Sequence, residues 1–263
     1  TRTSLLVRQK ISIVSNKPQT TRARIRGVIT TATFHVVLLD TPGLHSPHTE
    51  LQKIMNRSAA GALGDVDLVL VVVDASRPLD KEDEALADLL KKSWQNPLAE
   101  ERAGSGILLC LNKMDRLKAE DVVDHTEAYE KLFGAEASML TCLTKKQNHA
   151  KLLDMLVERL PEGEAIFPEE MVTDSPVREI AAEFIREKAL ELTRKEVPHS
   201  IAVHIDQWDE SEGKAHVYAS IIVEKSGQKA ILIGRRGEMI KEIGIRARAE
   251  IEEMLGHPIF LEL

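Results

Sequence analysis

Short, predominantly apolar runs recur at wide intervals in the front of the chain. They are Phe34–Leu39, Leu68–Val73 and Ile107–Leu111, and they consist largely of valine, isoleucine and leucine. A strand with one face in water would alternate polar and apolar residues, whereas these runs favour strands covered on both faces. They predict a parallel sheet with helices on either side.

Helical spacing appears between and behind these runs. A stretch that begins at Asp80 repeats leucine at helical intervals, and the stretch His149–Leu160 places four leucines on one face. The alternation of strands and helices predicts an α/β fold, doubly wound, over residues 1–160.

The pattern changes behind Leu160. Residues 161–175 are rich in proline, glycine and acidic side chains, which is typical of an inter-domain linker. The apolar residues of this linker are predicted to pack on a domain surface; they are Ile166, Phe167, Met171 and Val172.

Residues 176–263 show a pattern of helices and strands that is typical of a separate α+β domain. An amphipathic helix around Phe184 precedes two alternating segments, His199–Asp206 and Ala215–Val223, which a polar loop at 209–213 connects. A short helix, a Gly-x-x-Gly turn, a long helix and a final strand, Ile259–Leu263, follow. The predicted order is α-β-β-α-α-β.

Composition narrows the class of protein. The chain has 263 residues, 43% of them hydrophobic, which is enough for two domains with cores. Its longest apolar run has six residues, far short of a bilayer span, so no transmembrane segment and no secretory leader are expected. The two cysteines form no CxxC pair, and we expect reduced thiols in a cytoplasmic protein.

Asp40-Thr41-Pro42-Gly43 follows the first apolar run. Ligands of open α/β sheets bind at the carboxyl ends of the strands. Asp40 there can hold Mg²⁺ through a water molecule, and the backbone N–H of Gly43 can reach a γ-phosphate. The same residues also suit an ordinary turn. Leu44 completes this candidate nucleotide segment.

Asn112-Lys113-Met114-Asp115 follows the third run, again at a strand end. The Asp115 carboxylate can accept hydrogen bonds from N1–H and the exocyclic amine of guanine, which adenine cannot supply. Asn112 can brace the site, and the Lys113 stem can cover the base. A polar loop that caps a helix is the alternative, but two such motifs in order favour a guanine-nucleotide site.

Weaker signals complete this site. In Gln19-Thr20-Thr21-Arg22, a threonine can coordinate Mg²⁺ and sense the γ-phosphate, so Thr20, Thr21 and Gly43 are the catalytic candidates. Thr21 and Asp40 are the candidate metal ligands. Thr141, Cys142 and Leu143 are a candidate base-contacting loop.

The Gly-x-x-Gly turn lies in a locally basic part of an acidic chain. The net charge is −7, yet seven basic residues face two acidic ones between Lys225 and Arg248. Two glycines let a nucleic-acid backbone approach, as in the KH signature of RNA-binding domains. The candidate RNA-binding residues are Lys229, Ile233, Gly234, Arg235, Arg236, Gly237 and Lys241.

The chain resembles the Era family of GTPases over nearly its whole length. The resemblance rests on Gln9–Arg22 (QKISIVSNKPQTTR), Asp40–His45 (DTPGLH), NKMD, Phe167–Asp174 (FPEEMVTD) and the KH core. It implies a Ras-like GTPase domain joined to a KH domain, hydrolysis of GTP to GDP with Mg²⁺, and binding near the 3′ end of small-subunit ribosomal RNA. It also implies a role in assembly of the small ribosomal subunit.

The sequence departs from the family at several points. No G-x-x-x-x-G-K-[ST] phosphate loop (P-loop) is present, and we expect that the chain starts just behind it. Leu44 stands where Ras-like enzymes keep a water-positioning glutamine, which predicts slow intrinsic turnover. Two alternatives stay open: an RNA-binding adaptor with a degenerate nucleotide site, and a GTPase peripherally associated with a membrane, against which the lack of a basic amphipathic helix counts.

Overall fold

The computed structural model describes residues 25–41, 61, 63, 66–94, 106–193, 201–211 and 214–263. The chain divides into two compact units, and the division between Val172 and Thr173 falls inside the predicted linker. The front unit and the rear unit have separate hydrophobic cores.

The described strands of the front unit form two sheets. Strands β1 (Ile25–Thr30) and β2 (His35–Asp40) make an antiparallel pair, whereas β3 (Val69–Asp74), β4 (Ile107–Asn112) and β5 (Ala137–Leu140) pair in parallel in that order. All three predicted runs are strands. The expected parallel pairing holds for β3–β5, while the short turn between β1 and β2 makes that pair antiparallel.

Helices cover both faces of the parallel sheet. They are α1 (Lys81–Trp94), α2 (Val122–Phe133) and α3 (His149–Val157). Alternate side chains of β3, such as Val71, pack with Leu90 of α1 and Phe133 of α2. On the opposite face, Leu108 and Cys110 of β4 pack with leucines of α3. This two-sided burial confirms the doubly wound prediction and explains why the runs lack polar alternation.

The linker packs only in part as predicted. The carbonyl oxygen of Val172 accepts a hydrogen bond from the N–H of Val28 in β1 (2.7 Å), and the Phe167 ring lies 6.2 Å from the ring of His35. Ile166, in contrast, is 77% exposed, so its predicted packing was wrong. Adjacent side chains point in different directions, and the contact of Phe167 leaves Ile166 facing solvent.

The rear unit has the predicted order α-β-β-α-α-β. Its elements are α4 (Val177–Leu192), β6 (Ile201–Ser211), β7 (Lys214–Val223), α5 (Ser226–Ile233), α6 (Glu238–Leu255) and β8 (Ile259–Glu262). Strand β7 lies in the centre, antiparallel to β6 and parallel to β8. Ala215 and Val217 of β7 pack against Ile243, Ala247 and Ile251 of α6 in the core.

The β6–β7 hairpin is longer than the alternation predicts. Residues 209–211, expected in a polar loop, belong to β6, and Asp209 pairs with His216. The pairing register shifts between Ile205 and Gln207, which inserts an extra residue, as in a β-bulge. The alternation therefore changes phase, and Trp208 packs against the core.

A buried ion cluster joins α4 to α6. The Lys188 ammonium contacts the carboxylates of Glu187 (3.2 Å) and Glu191 (3.3 Å) on α4 and that of Glu250 on α6. Burial alone would lower the pKa of Lys188, but these carboxylates hold it well above its ordinary value. The cluster fixes the helix that follows the Gly-x-x-Gly turn.

Candidate functional site

The candidate nucleotide residues meet at one edge of the parallel sheet. Strands β3 and β4 end side by side, with Asp74 directly opposite Asn112. Thr141 comes immediately after β5, and its N–H donates to the carbonyl oxygen of Leu111 in β4 (2.8 Å). This carboxyl edge is where open α/β sheets bind ligands, and it brings residues 112–115 next to residues 141–143.

Asn112 ties these two segments together. Its Oδ1 accepts a hydrogen bond from the N–H of Leu143 (3.0 Å) and one from Oγ1 of Thr141 (3.5 Å). The N–H of Met114 in turn donates to the carbonyl oxygen of Thr141 (3.0 Å). Asn112 is only 9% exposed, so water cannot easily replace these bonds. It braces the loop, as the sequence predicted.

Lys113 is held by a residue that sequence reasoning missed. It adopts a left-handed backbone conformation (φ 66°), and its ammonium pairs with the carboxylate of Asp74. Burial raises the pKa of Asp74, but hydrogen bonds from Lys113 and Ser76 outweigh it and bring the pKa below its ordinary value. The acidic residue at the end of the apolar run was the available signal.

Asp115 has both carboxylate oxygens engaged. Oδ1 accepts a hydrogen bond from the Cys142 thiol (3.2 Å), and Oδ2 forms an ion pair with the Lys145 ammonium (3.0 Å). The hydrogen bonds from Lys145 and Cys142 lower the pKa of Asp115 below its ordinary value. The carboxylate is therefore ionised at neutral pH, the state that accepts hydrogen bonds from guanine. The sequence did not point to Lys145.

The side chains of the predicted base-contacting loop point inward. Thr141 is 0%, Cys142 1% and Leu143 3% exposed, and Leu143 belongs to the core beneath the sheet. Sequence spacing placed these residues at the site without indicating the direction of their side chains. Contact of their backbone with a base stays a prediction.

The phosphate side of the site is described only in part. Asp40 ends β2, at the strand end where it was predicted, and Thr41 follows it. Thr20, Thr21, Pro42, Gly43 and Leu44 lie outside the described residues. Within the described ranges no cluster of three or more histidine, cysteine or acidic side chains could hold a metal. The Asp40 carboxylate suits Mg²⁺, which takes few protein oxygens and completes its octahedron with phosphate and water.

The Gly-x-x-Gly turn joins α5 to α6 and requires its glycines. Gly234 has φ 72°, and a Cβ atom there would lie 2.6 Å from the Cβ of Met239. Gly237 has φ 80°, also in the left-handed region. Any side chain at Gly234 would thus clash with the first turn of α6. Glycine at position 234 therefore leaves the backbone of the turn uncovered by a side chain at this point.

Charge and apolar surface converge on the same turn. Arg235 and Arg236 are exposed and form no ion pair with the described residues, whereas Arg246 and Arg248 pair with Glu242 and Glu252 on α6. Fewer basic side chains are therefore without a carboxylate partner among the described residues than the count of seven between Lys225 and Arg248 suggested. Exposed Lys229 and Lys241 flank the turn, and Ile233 is 38% exposed beside it. The arrangement suits phosphates next to a base.

No helix among residues 25–41, 66–94, 106–193 and 214–263 is both long and apolar enough to cross a membrane.

Comparison with known proteins finds similarity along the whole chain. A family model described as 50S ribosome-binding GTPase matches residues 2–113, and one described as KH domain matches residues 196–263. GTPase Era of Leuconostoc citreum (strain KM20) is 42% identical, over 98% of this chain and 82% of its own length.

Two crystal structures are similar throughout. Era in complex with MgGDPNP and nucleotides 1506–1542 of 16S ribosomal RNA gives a TM-score of 0.91 at 34% identity, covering 100% of this chain and 86% of that one. A variant of Era from Aquifex aeolicus bound to GDP·AlF4− gives 0.90 at 34% identity, covering 100% and 87%.

Proposed function

The chain belongs to the Era family of GTPases, and on that premise we propose that it is a GTP-hydrolysing switch that binds small-subunit ribosomal RNA near its 3′ end. In this role it acts in assembly of the small ribosomal subunit. The RNA in the complex of the relative is 16S ribosomal RNA, which belongs to that subunit.

The ionised Asp115 carboxylate carries the nucleotide part of the proposal. It lies beside Asn112 at the carboxyl edge of the sheet, where it accepts N1–H and the exocyclic amine of guanine. Asn112 keeps residues 141–143 under the base, and the Lys113 stem, anchored by Asp74, covers the base face. Adenine would leave the carboxylate without matching donors, so the site selects guanine.

The phosphate part of the site involves Thr20, Thr21 and residues 40–44. Thr21 and Asp40 would hold Mg²⁺, which would supply positive charge against the transferred phosphoryl group. The N–H of Gly43 would donate to the γ-phosphate, and Thr20 and Thr21 would sense its presence. Hydrolysis of GTP to GDP and phosphate removes these contacts.

The Gly-x-x-Gly turn carries the RNA part. Arg235, Arg236, Lys229 and Lys241 meet phosphates, and the bare backbone of Gly234 and Gly237 lets the RNA strand approach. A base then rests on exposed apolar side chains such as Ile233. We place the protein in the cytoplasm, with ribosome assembly, and the thiols Cys110 and Cys142, which form no disulfide, suit that reducing compartment.

Substitution Asp115→Asn tests the guanine assignment. The amide presents an N–H donor where the carboxylate accepted, which matches the carbonyl that xanthine carries in place of the amine of guanine. Guanine binding should weaken roughly 5- to 150-fold, the effect of one buried polar mismatch, while xanthine binding improves. Calorimetric titration of the full-length protein with GDP and XDP measures both affinities.

Asp124→Asn is the matched control. It makes the same chemical change on the exposed face of α2, and both affinities should stay at the wild-type level. If Asp115→Asn left the ratio of GDP to XDP affinity unchanged, the assignment of Asp115 to the base would be wrong.

A further inference from the structure

The guanine-specific carboxylate already has a cationic partner in this structure. Both oxygens of Asp115 are engaged, Oδ1 by the Cys142 thiol at 3.2 Å and Oδ2 by the Lys145 ammonium at 3.0 Å. Guanine needs both oxygens, since N1–H and the exocyclic amine donate side by side. The incoming base therefore meets two donors at the carboxylate.

The two donors reach Asp115 from different sides. Cys142 is 1% exposed, so its thiol approaches from the protein interior. The side chain of Lys145 is 59% exposed and that of Asp115 is 21% exposed, so the ammonium approaches from the solvent. The base enters from solvent as well. Cys142 can stay behind the carboxylate while the base binds, but Lys145 occupies the side from which the base arrives.

The backbone presents Lys145 to Asp115 through a tight turn. Residues 143–145 form a single 3-10 turn that Lys146 ends in a left-handed conformation (φ 55°). Cys142 and Gln147 close the loop, with the N–H of Gln147 donating to the carbonyl oxygen of Cys142 (3.1 Å). The loop thus sets the Cα position of Lys145, while its four-carbon side chain is free to swing into solvent.

We propose that Lys145 is a placeholder for guanine: its ammonium holds the Asp115 carboxylate before guanine binds and withdraws when the base enters. The inference rests on the proposed function, because it takes Asp115 as the guanine ligand. Lys145 is then a positioning residue that tunes nucleotide affinity through competition. It orients the carboxylate and lowers the affinity for the base.

Removing the ammonium should tighten nucleotide binding. Exposed ion pairs are weak, so Lys145→Met should raise the affinity for GDP about two- to fivefold in the full-length protein at low salt. Salt screens the ion pair, so the gain should shrink toward none as ionic strength rises to about 0.5 M. Methionine keeps the length of the lysine side chain without a donor. Calorimetry with GDP across a salt series measures the gain.

Two further variants test whether a gain in GDP affinity comes from loss of the ammonium at Asp115. The alternatives are a change in the loop structure and a change in the net charge of the protein. Lys145→Arg keeps a cation at Asp115 and should leave GDP affinity at or below the wild-type level. Lys146→Met removes the neighbouring exposed charge and should lack the salt-dependent gain. A gain limited to Lys145→Met supports the placeholder.

Other results would contradict the inference. Equal or weaker GDP binding by Lys145→Met would show that Lys145 does not compete with the base, and the proposed function would stand. An equal gain in Lys146→Met would assign the effect to net charge and would overturn the placeholder alone. If neither wild type nor Lys145→Met bound GDP, the guanine site itself would be wrong, and the placeholder would fall with it.

Discussion

At the scale of single residues, the predicted positions in the fold hold for Asp40 and for residues 112–115, while the roles of these residues in binding stay predictions. Apolar runs fix where strands end, so Asp40 and residues 112–115 could be placed at strand ends from sequence. Asp74 at the end of an apolar run signalled a polar group at this edge, but its pairing with Lys113 and that of Lys145 with Asp115 could not be predicted, because each pair joins residues far apart in the chain. Spacing also gave no direction for the side chain of Leu143, which three-dimensional packing decides.

The substitution Asn112→Ala tests whether the Asn112 side chain holds the loop of residues 141–143 in place. It leaves the buried N–H of Leu143 without its acceptor, and an unsatisfied buried donor costs about 1–3 kcal/mol. We expect the free energy of opening the front unit to fall by this amount in Asn112→Ala. GDP should also bind more weakly. Amide hydrogen exchange in β4 and β5 reports this unit separately from the rest of the chain.

Thr144→Ala serves as the control for Asn112→Ala. Thr144 is exposed in the same loop, and its truncation should change stability by no more than about 0.5 kcal/mol. Unchanged exchange rates in Asn112→Ala would show that Asn112 does not hold the loop.

At the scale of elements, hydrophobic periodicity predicted the strands and helices that bury one regular face. Strand β7 and helix α6 keep one buried face throughout, and both were predicted. Helix α2 was missed because Tyr129 and Phe133 are its buried residues, too few to produce a stripe. Strand β1 was also missed, because Arg26 and Gly27 interrupt its apolar pattern. It depends on pairing with β2, which the local sequence does not encode. The end of β6 was missed because a bulge shifts its alternation.

The α5–turn–α6 element carries a prediction of its own. Substitution of both Arg235 and Arg236 by Gln should weaken binding of single-stranded RNA and leave the fold and GDP binding intact, because both side chains are exposed. The slope of log affinity against log salt should fall by about 1.4, since each lost phosphate contact contributes about 0.7. Filter binding across a salt series measures this slope.

Arg246→Gln with Arg248→Gln is the matched pair for that experiment. It removes the same charge from α6, but from arginines already paired with Glu242 and Glu252. We expect a smaller loss of RNA affinity and a smaller change in the slope of log affinity against log salt than for Arg235 and Arg236. Equal losses in the two double variants would mean that RNA senses the charge of the whole helix and not the turn.

At the scale of the whole molecule, two units with separate cores share one acidic chain. The net charge of −7 disfavours general binding to polyanions, so we expect RNA to bind locally, at the two exposed arginines of one turn that form no ion pair with the described residues. Sequence identified both units because the motifs of each are contiguous and lie at strand ends or in a turn. Whether one unit senses the ligand of the other depends on energetic coupling, which no single motif encodes.

We infer that guanine nucleotide switches RNA binding, a claim that predicts different RNA affinities in the two nucleotide states. The dissociation constant for a single-stranded RNA with the 3′-end sequence of 16S ribosomal RNA is measured on the full-length protein, once with a non-hydrolysable GTP analogue and once with GDP. Allosteric couplings are typically about 1–3 kcal/mol, so RNA should bind at least about fivefold more tightly with the analogue. By linkage, RNA should raise the affinity for the analogue, relative to GDP, by the same factor. Equal RNA affinity in the two nucleotide states would contradict the claim.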